Sequence, residues 1–187
     1  MRQAAPTINL EYRIYPNEDQ KKAIFQTLKG CQFVYNHYLK KHIEDYNSTG
    51  KTMSFFDCTK DLTNLLQENA WLREADSQAL RYAIKELYNQ FNYFFKTKTN
   101  YPKYIKNHTT ERHYKTVSNN HSIKITSYGI QLPKLGKVSA VDPNNFSFTP
   151  IEQPKDEIIS ATIYRRHGNQ FFVTLHCKAP QQTQNTN

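Results

Sequence analysis

The sequence of 187 residues is poor in the side chains from which metal, redox and disulfide sites are built. Its three cysteines, Cys31, Cys58 and Cys177, form no CxxC pair, and its seven histidines include no HxH or HExxH spacing. Structural zinc sites and thiol redox motifs need such close spacing. We therefore expect reduced and inert thiols, no metal site and no cofactor.

Long hydrophobic runs are also missing. The N-terminal stretch MRQAAPTINLEYR has no apolar core of the kind that a signal peptide carries, and no run of about 18 apolar residues occurs anywhere in the chain. We expect no membrane partner. The protein is predicted to be soluble and cytoplasmic, in a prokaryotic cell, and nucleoid-associated when it is bound to DNA.

Clustered carboxylates that could hold two catalytic metal ions are scarce, although two-metal hydrolysis depends on them. The nearest candidates are Glu44 with Asp45, Asp57 with Asp61, and Asp156 with Glu157. All of them fall in segments whose pattern is typical of a helix surface or a loop. No grouping of Ser, His and Asp suggests a nucleophile either, so we predict no catalytic residue.

Positive charge and aromatic rings are abundant. The chain has 25 Lys and Arg against 16 Asp and Glu, a formal charge of +9 and an isoelectric point of about 9.4. Lys and Arg that neutralise phosphates release counterions, so this balance indicates a polyanionic partner. The 13 Tyr and 11 Phe either stack on bases or fill the core, and composition alone leaves both interpretations open.

The longest helical pattern runs from Leu72 to Lys98. Its apolar residues, Leu80, Ile84, Leu87, Phe91 and Phe94, recur at steps of four and three, which predicts one buried stripe. The opposite face carries Ser77, Gln78, Arg81, Lys85, Asn89 and Asn92. This face is either a nucleic-acid-reading surface or an ordinary solvated helix face.

The remaining patterns predict an α+β fold. Thr7 to Ile14 alternates like a strand, Asn17 and Gln20 form a capping box, and two helices separated at Gly30 follow. A further helix is predicted over Asp57 to Gln67, and short strands follow from about Arg112. Because the first strand needs partners, we predict a small antiparallel β-barrel of the wedge or OB type with an inserted α-helical bundle. Its predicted boundaries are 1–14 with 112–179 for the barrel, 15–111 for the helices, and 180–187 for a disordered tail.

Several short motifs together resemble the TnpB family, the transposon-encoded RNA-guided nucleases ancestral to the type V CRISPR effectors. They are RIYPNEDQ from Arg13, FVYNHYL from Phe33, WLREADSQAL from Trp71, YPKY from Tyr101 and LPKLGKV from Leu132. Each motif alone is weak, but they occur in the family's order. The resemblance implies a wedge barrel with an inserted recognition domain, which together hold a guide (omega) RNA and read a short DNA motif beside the target.

The resemblance also implies residue roles. The DNA-motif readers would be Phe55, Thr59, Ser77, Gln78, Arg81, Ser118 and Asn119. Because Arg81 has an alternative as an ion-pair partner of Glu74 or as a solvated side chain, its role stays open at this point. The residues assigned to RNA or phosphates as a group are Arg13, Lys96, Lys98, Tyr101, Lys103, Tyr104, Lys106, Arg112, Lys115, Lys134 and Lys137.

The sequence departs from the family pattern at its end. After QFFVTLHC, where TnpB proteins continue into a RuvC nuclease with a zinc ribbon, the chain reads KAPQQTQNTN. We therefore expect a non-catalytic protein that binds guide RNA and target duplex DNA, either with a separately encoded RuvC half that completes the nuclease in trans or as a regulator. The alternatives are an RNA-independent DNA-binding regulator or transposition accessory protein, and a relic or fragment of a longer protein.

Overall fold

The computed structural model describes residues 7–106, 113–127, 129–141 and 157–178, and it has the predicted α+β composition. Strand β1 covers Thr7–Tyr15, and helices α1, α2 and α3 cover Glu18–Thr49, Phe55–Glu68 and Ser77–Thr97. A short 3-10 helix, Ala70–Glu74, lies between α2 and α3. The later strands are β2 (His113–Val117), β3 (Lys124–Thr126), β4 (Gly129–Leu132), β5 (Gly136–Val141), β6 (Glu157–Arg166) and β7 (Gln170–Lys178).

The strands form one antiparallel sheet of seven strands in the order β2-β6-β7-β1-β5-β4-β3. Strand β1 lies inside the sheet between β7 and β5, in register Leu10 to Leu175 and Ile14 to Ala140, so the predicted pairing of the first strand with the later ones is confirmed. Closure into a barrel is not seen, because among the described strands β2 and β3 remain the two edges. The side chains of Ile24 and Leu28 pack instead against the apolar face of the open sheet.

Helix α1 is continuous over 32 residues, so the predicted break at Gly30 was wrong. A Cβ atom at Gly30 would lie 3.0 Å from Leu80 Cδ2, 3.1 Å from Ala75 Cβ and 3.4 Å from Leu72 Cδ2. The glycine thus allows the start of α3 and the preceding 3-10 helix to pack directly against α1. A glycine that permits close helix contact has the same sequence signature as one that ends a helix.

Side-chain caps determine where the helices begin. The Asn17 and Gln20 capping box is present as predicted, and Ser54 with Asp57 forms a second one at the start of α2. Helix α3 begins at Ser77 rather than at the predicted Leu72, because Asp76 is its N-cap: Oδ1 accepts hydrogen bonds from the amides of Gln78 and Ala79.

Two hydrophobic clusters make up the core of the described residues. One lies between the sheet and the first half of α1, and the other lies among α1, α2 and α3. Cys31 of α1 packs against both clusters, so this helix connects them. The division of the chain into a barrel and a helical domain stays a prediction, and the predicted tail 180–187 lies outside the described residues.

Candidate nucleic-acid interface

The N-terminal end of α3 presents three of the predicted DNA-motif readers. Ser77 and Arg81 are exposed and Gln78 is half-buried. Within the described residues Arg81 makes no ion pair, so the alternative contact with Glu74 is not formed. The Arg81 guanidinium therefore keeps all of its donors available for another molecule.

Strand β2 runs beside α3, and two more predicted readers, Ser118 and Asn119, follow this strand in the chain. His113 Nε2 lies 3.9 Å from Glu86 Oε1, and Lys115 Nζ lies 5.3 Å from the centre of the Tyr82 ring. The strand thus runs antiparallel to α3, and the next residues, Ser118 and Asn119, continue toward the start of α3. Ser118 N–H donates to the Ile159 carbonyl and Asn119 N–H to Ser122 Oγ, which leaves both side chains at the surface.

The other two predicted readers lie apart from this group. Phe55 is 40% exposed and packs edge-to-face on Tyr88, with 5.9 Å between the ring centres, and the Thr59 hydroxyl donates to the Phe56 carbonyl of its own helix. Tyr88 is roughly 16 Å along α3 from Ser77 at the rise of an α-helix. Three of the seven predicted readers therefore lie together at the start of α3, two follow the strand beside that helix, and Phe55 and Thr59 lie farther along it.

Cations and rings follow the C-terminal end of α3, as predicted. Lys96, Lys98, Lys103 and Lys106 are exposed, and so are Tyr101 and Tyr104 at 43% and 49%. The Tyr101 ring packs edge-to-face on Phe91 and Phe94, at 5.8 Å and 5.0 Å between centres. One edge of Tyr101 is thus fixed by the core while the rest of the ring faces outward.

Residues 101–106, here called the basic strap, are tied to α1 by two amide side chains. Asn36 accepts from the Ile105 N–H and donates to the Ile105 carbonyl, both at 2.9 Å, and Gln32 Nε2 donates to the same carbonyl at 2.8 Å. Asn36 thereby pairs with Ile105 as a neighbouring strand would. These three hydrogen bonds fix the backbone of the strap against α1 at Ile105.

The predicted phosphate-binding residues of the sheet are more dispersed. Arg13 is half-buried with its guanidinium 5.1 Å from the Tyr15 ring centre, Lys137 is exposed, and Lys134 Nζ donates to the Arg73 carbonyl at 3.1 Å. Burial, and then the nearby ammonium of Lys85, lower the pKa of Lys115. A bound phosphate would relieve that repulsion. The predicted residue Arg112 lies outside the described residues.

A cavity that sequence reasoning missed lies between α1 and the basic strap. Its volume is about 550 Å³, and its walls include Lys29, Gln32, Phe33, Asn36 and Trp71. The three polar residues on α1 are spaced by three and four, which is one helix face, so part of the signal was present. The approach of Trp71 to that face depends on helix packing and has no local signature.

The geometry can be compared with known proteins. The family model HTH_OrfB_IS605, a helix-turn-helix domain, matches residues 7–51. A protein of Streptomyces pristinaespiralis named "Putative RNA-guided DNA endonuclease" is 28% identical over 96 residues, which are 50% of this chain and 24% of that protein. The chain therefore matches about a quarter of the length of that relative.

The resemblance to the TnpB family is confirmed. The two matches that bear on it are the helix-turn-helix family model and the protein named as an RNA-guided DNA endonuclease. In this TnpB-like chain the segment that matches the helix-turn-helix model is a strand followed by one continuous helix. A helix-turn-helix reader needs two helices joined by a short turn, so residues 7–51 do not form that reader here.

One of the three candidate carboxylate pairs, Asp57 with Asp61, serves other contacts, and Asp156 of another pair lies outside the described residues. Asp57 accepts from Ser54 in the capping box of α2, and Asp61 Oδ2 lies 2.9 Å from Lys41 Nζ. Among the described residues no three His, Cys, Asp or Glu side chains lie close enough together to hold a metal ion. In the same part of the chain, no helix is both long and apolar enough to cross a bilayer.

Proposed function

We propose that this TnpB-like chain is a non-catalytic nucleic-acid-binding protein that holds a guide (omega) RNA and reads a short duplex motif beside the target DNA. The observation that carries this proposal is the layout of α3. Its first turns carry polar readers, and its last turn leads into cations and rings. With 21 residues the helix is about 30 Å long, so it separates a base-reading end from a phosphate-holding end.

The DNA part of the proposal rests on the N-terminal end of α3. An arginine can donate two hydrogen bonds to the major-groove edge of guanine, and a glutamine can pair with adenine. Arg81 and Gln78 are assigned these roles, with Ser77, Ser118 and Asn119 beside them. Arg81→Ala is expected to weaken binding to a motif with guanine at the position that Arg81 reads by about 1–3 kcal/mol. Binding to motifs with another base at that position should change little.

The RNA part rests on the last turn of α3 and the basic strap. The lysines contact phosphates and the tyrosines stack on unpaired bases, so affinity falls steeply with salt. In this proposal the sheet, formed by 1–14 and 112–179, acts as the wedge, and 15–111 acts as the recognition domain. The protein then works in the cytoplasm and on the nucleoid.

We also propose that target cleavage, where it occurs, is supplied in trans by a separately encoded RuvC-type partner. Asp57 and Asp61 are already used in a helix cap and an ion pair, which supports this proposal. The test mixes purified protein, cognate RNA and labelled target, with and without such a partner. Cleavage that needs the partner supports the proposal, and metal-dependent cleavage by this chain alone would overturn its non-catalytic part.

A second candidate function is an RNA-independent DNA-binding regulator or transposition accessory protein, and the exposed Ser77 and Arg81 at the start of α3 favour it, because side chains that read bases directly need no RNA. Gel shifts on duplex DNA, with protein prepared with and without RNase treatment, separate the two. Tight sequence-specific binding that survives RNase favours the regulator. Loss of duplex binding with the RNA favours the RNA-guided function.

A further inference from the structure

The cavity between α1 and the basic strap has the size and chemistry of a nucleotide site. At about 550 Å³ it falls inside the range of roughly 300–1,000 Å³ typical of small-molecule pockets. Its walls combine the two functional groups that unpaired nucleotides bind in proteins, which are an aromatic face and primary amines. None of its α1 residues belongs to the DNA-reading or phosphate-binding sets assigned above.

The aromatic wall is the indole of Trp71, the one tryptophan of the sequence. The Phe33 ring packs edge-on against it, with 5.4 Å between centres and 73° between planes, and Gln26 Nε2 donates to the Trp71 carbonyl at 3.0 Å. The indole is therefore held in place from its edge and from its backbone. A half-buried indole fixed in this way is a preorganised surface on which a base can stack.

The cationic part of the cavity is formed by Lys29 and Lys106, one on each wall. The exposed Lys29 ammonium lies 5.2 Å from the centre of the Trp71 ring, over its face. Attraction between an exposed ammonium and a ring is weak, so an arriving phosphate would draw the ammonium toward itself. That movement uncovers the indole face for the base attached to the same phosphate.

The basic strap forms the other wall of the cavity, and hydrogen bonds from Asn36 and Gln32 to Ile105 hold that wall in place. These amides fix the strap at a constant distance from α1, so the cavity exists before any ligand enters. The same contacts place Lys106, the residue after Ile105, in the lining of the cavity.

We propose that this cavity captures one unpaired nucleotide of the bound RNA, with its base stacked on Trp71 and its phosphate between Lys29 and Lys106. The inference rests on the proposed RNA-binding function and adds a specific contact to it. A single-stranded DNA segment offers the same base and phosphate chemistry, so the test includes both strands.

The test uses the fluorescence of Trp71, excited at the red edge where tyrosine does not absorb, on the full chain. A short oligoadenylate RNA carrying a fluorescein label is titrated in, and its anisotropy reports overall binding. A DNA oligonucleotide of the same sequence is the second probe. Lys29→Ala is compared with Lys22→Ala, a change of equal charge on the same helix at a lysine that pairs with Asp19.

We expect the Trp71 fluorescence to be quenched over the same RNA concentrations at which the anisotropy rises. The bound RNA should also protect Trp71 from quenching by acrylamide. Lys29→Ala should reduce the slope of log affinity against log salt by about 0.7, the value for one phosphate contact with a single strand, whereas Lys22→Ala leaves it unchanged. Trp71→Phe, which retains a smaller ring, should weaken binding less than Trp71→Ala. A stronger response to RNA than to DNA assigns the site to RNA, and an equal response assigns it to either strand.

Binding by anisotropy without any change at Trp71, or equal effects of the two lysine variants, would overturn the nucleotide site and leave the proposed function standing. If neither the oligoadenylate RNA nor the cognate guide RNA binds the protein at all, the proposed function itself is overturned.

Discussion

Replacement of Asn36 by alanine removes the two hydrogen bonds that pair α1 with Ile105, both of 2.9 Å, and retains the bond from Gln32. A hydrogen bond of this kind contributes about 0.5–1.5 kcal/mol, so the pair is worth about 1–3 kcal/mol of local stability. The basic strap should therefore open more often. Exchange of the Ile105 amide hydrogen is expected to accelerate by about 5- to 150-fold, the factor that this free energy corresponds to.

The assay is native-state amide exchange followed residue by residue, with Asn92→Ala as the control because Asn92 is an exposed amide on the polar face of α3. RNA affinity should fall by no more than the same factor, since the strap has to be ordered again on binding. Unchanged exchange at Ile105 in Asn36→Ala would show that the strap is held by something else, and the account of a preformed basic strap would be wrong.

Substitutions at three further positions test the helices. Gly30→Ala should lower the free energy of unfolding by up to about 2 kcal/mol in urea titration, because overpacking against Ala75 outweighs the gain in helix propensity; stabilisation would contradict the close contact. Asp76→Ala should cost about 0.5–2 kcal/mol as a lost N-cap, whereas Asp76→Asn should retain most of the stability, and equal losses would contradict the cap. Burial lowers the pKa of the His42 imidazole from 6.5, although Asp45 opposes the shift. The folded state therefore favours the neutral imidazole. The stability of the fold that depends on neutral His42 is fully present above about pH 6.5 and is lost as the pH falls. The thermal midpoint of unfolding should decrease over the same pH range. His42→Phe should reduce this pH dependence, and an unchanged dependence would assign it to other groups.

Sequence patterns correctly predicted those structural elements that depend on residues close together in the chain. The Asn17 capping box, the apolar stripe of α3 and the alternation of β1 depend on residues a few positions apart, and all three are present in the structure. The break at Gly30 was wrong because its cause is distant. The glycine accommodates residues more than forty positions away, and no neighbouring residue distinguishes that role from a helix end.

The candidate interface divides in the same way. The cations and rings from Lys96 to Lys106 were visible as a run in the sequence, and the structure exposes them together. The cavity was not predicted, because Lys29 and Trp71 meet only after the 3-10 helix packs on α1. Barrel closure was inferred from the need of the first strand for partners, and an open sheet with β1 between β7 and β5 meets that need as well.

The central claim is that this chain carries a guide RNA, and the most direct measurement is to sequence the RNA that copurifies with it from cells. A variant with Lys96, Lys98, Lys103 and Lys106 replaced by glutamine is the control. The account predicts one enriched RNA species with a constant scaffold joined to a variable end, strongly reduced in the variant. RNA that is a random sample of the cell's transcripts, and equal in both proteins, would contradict it.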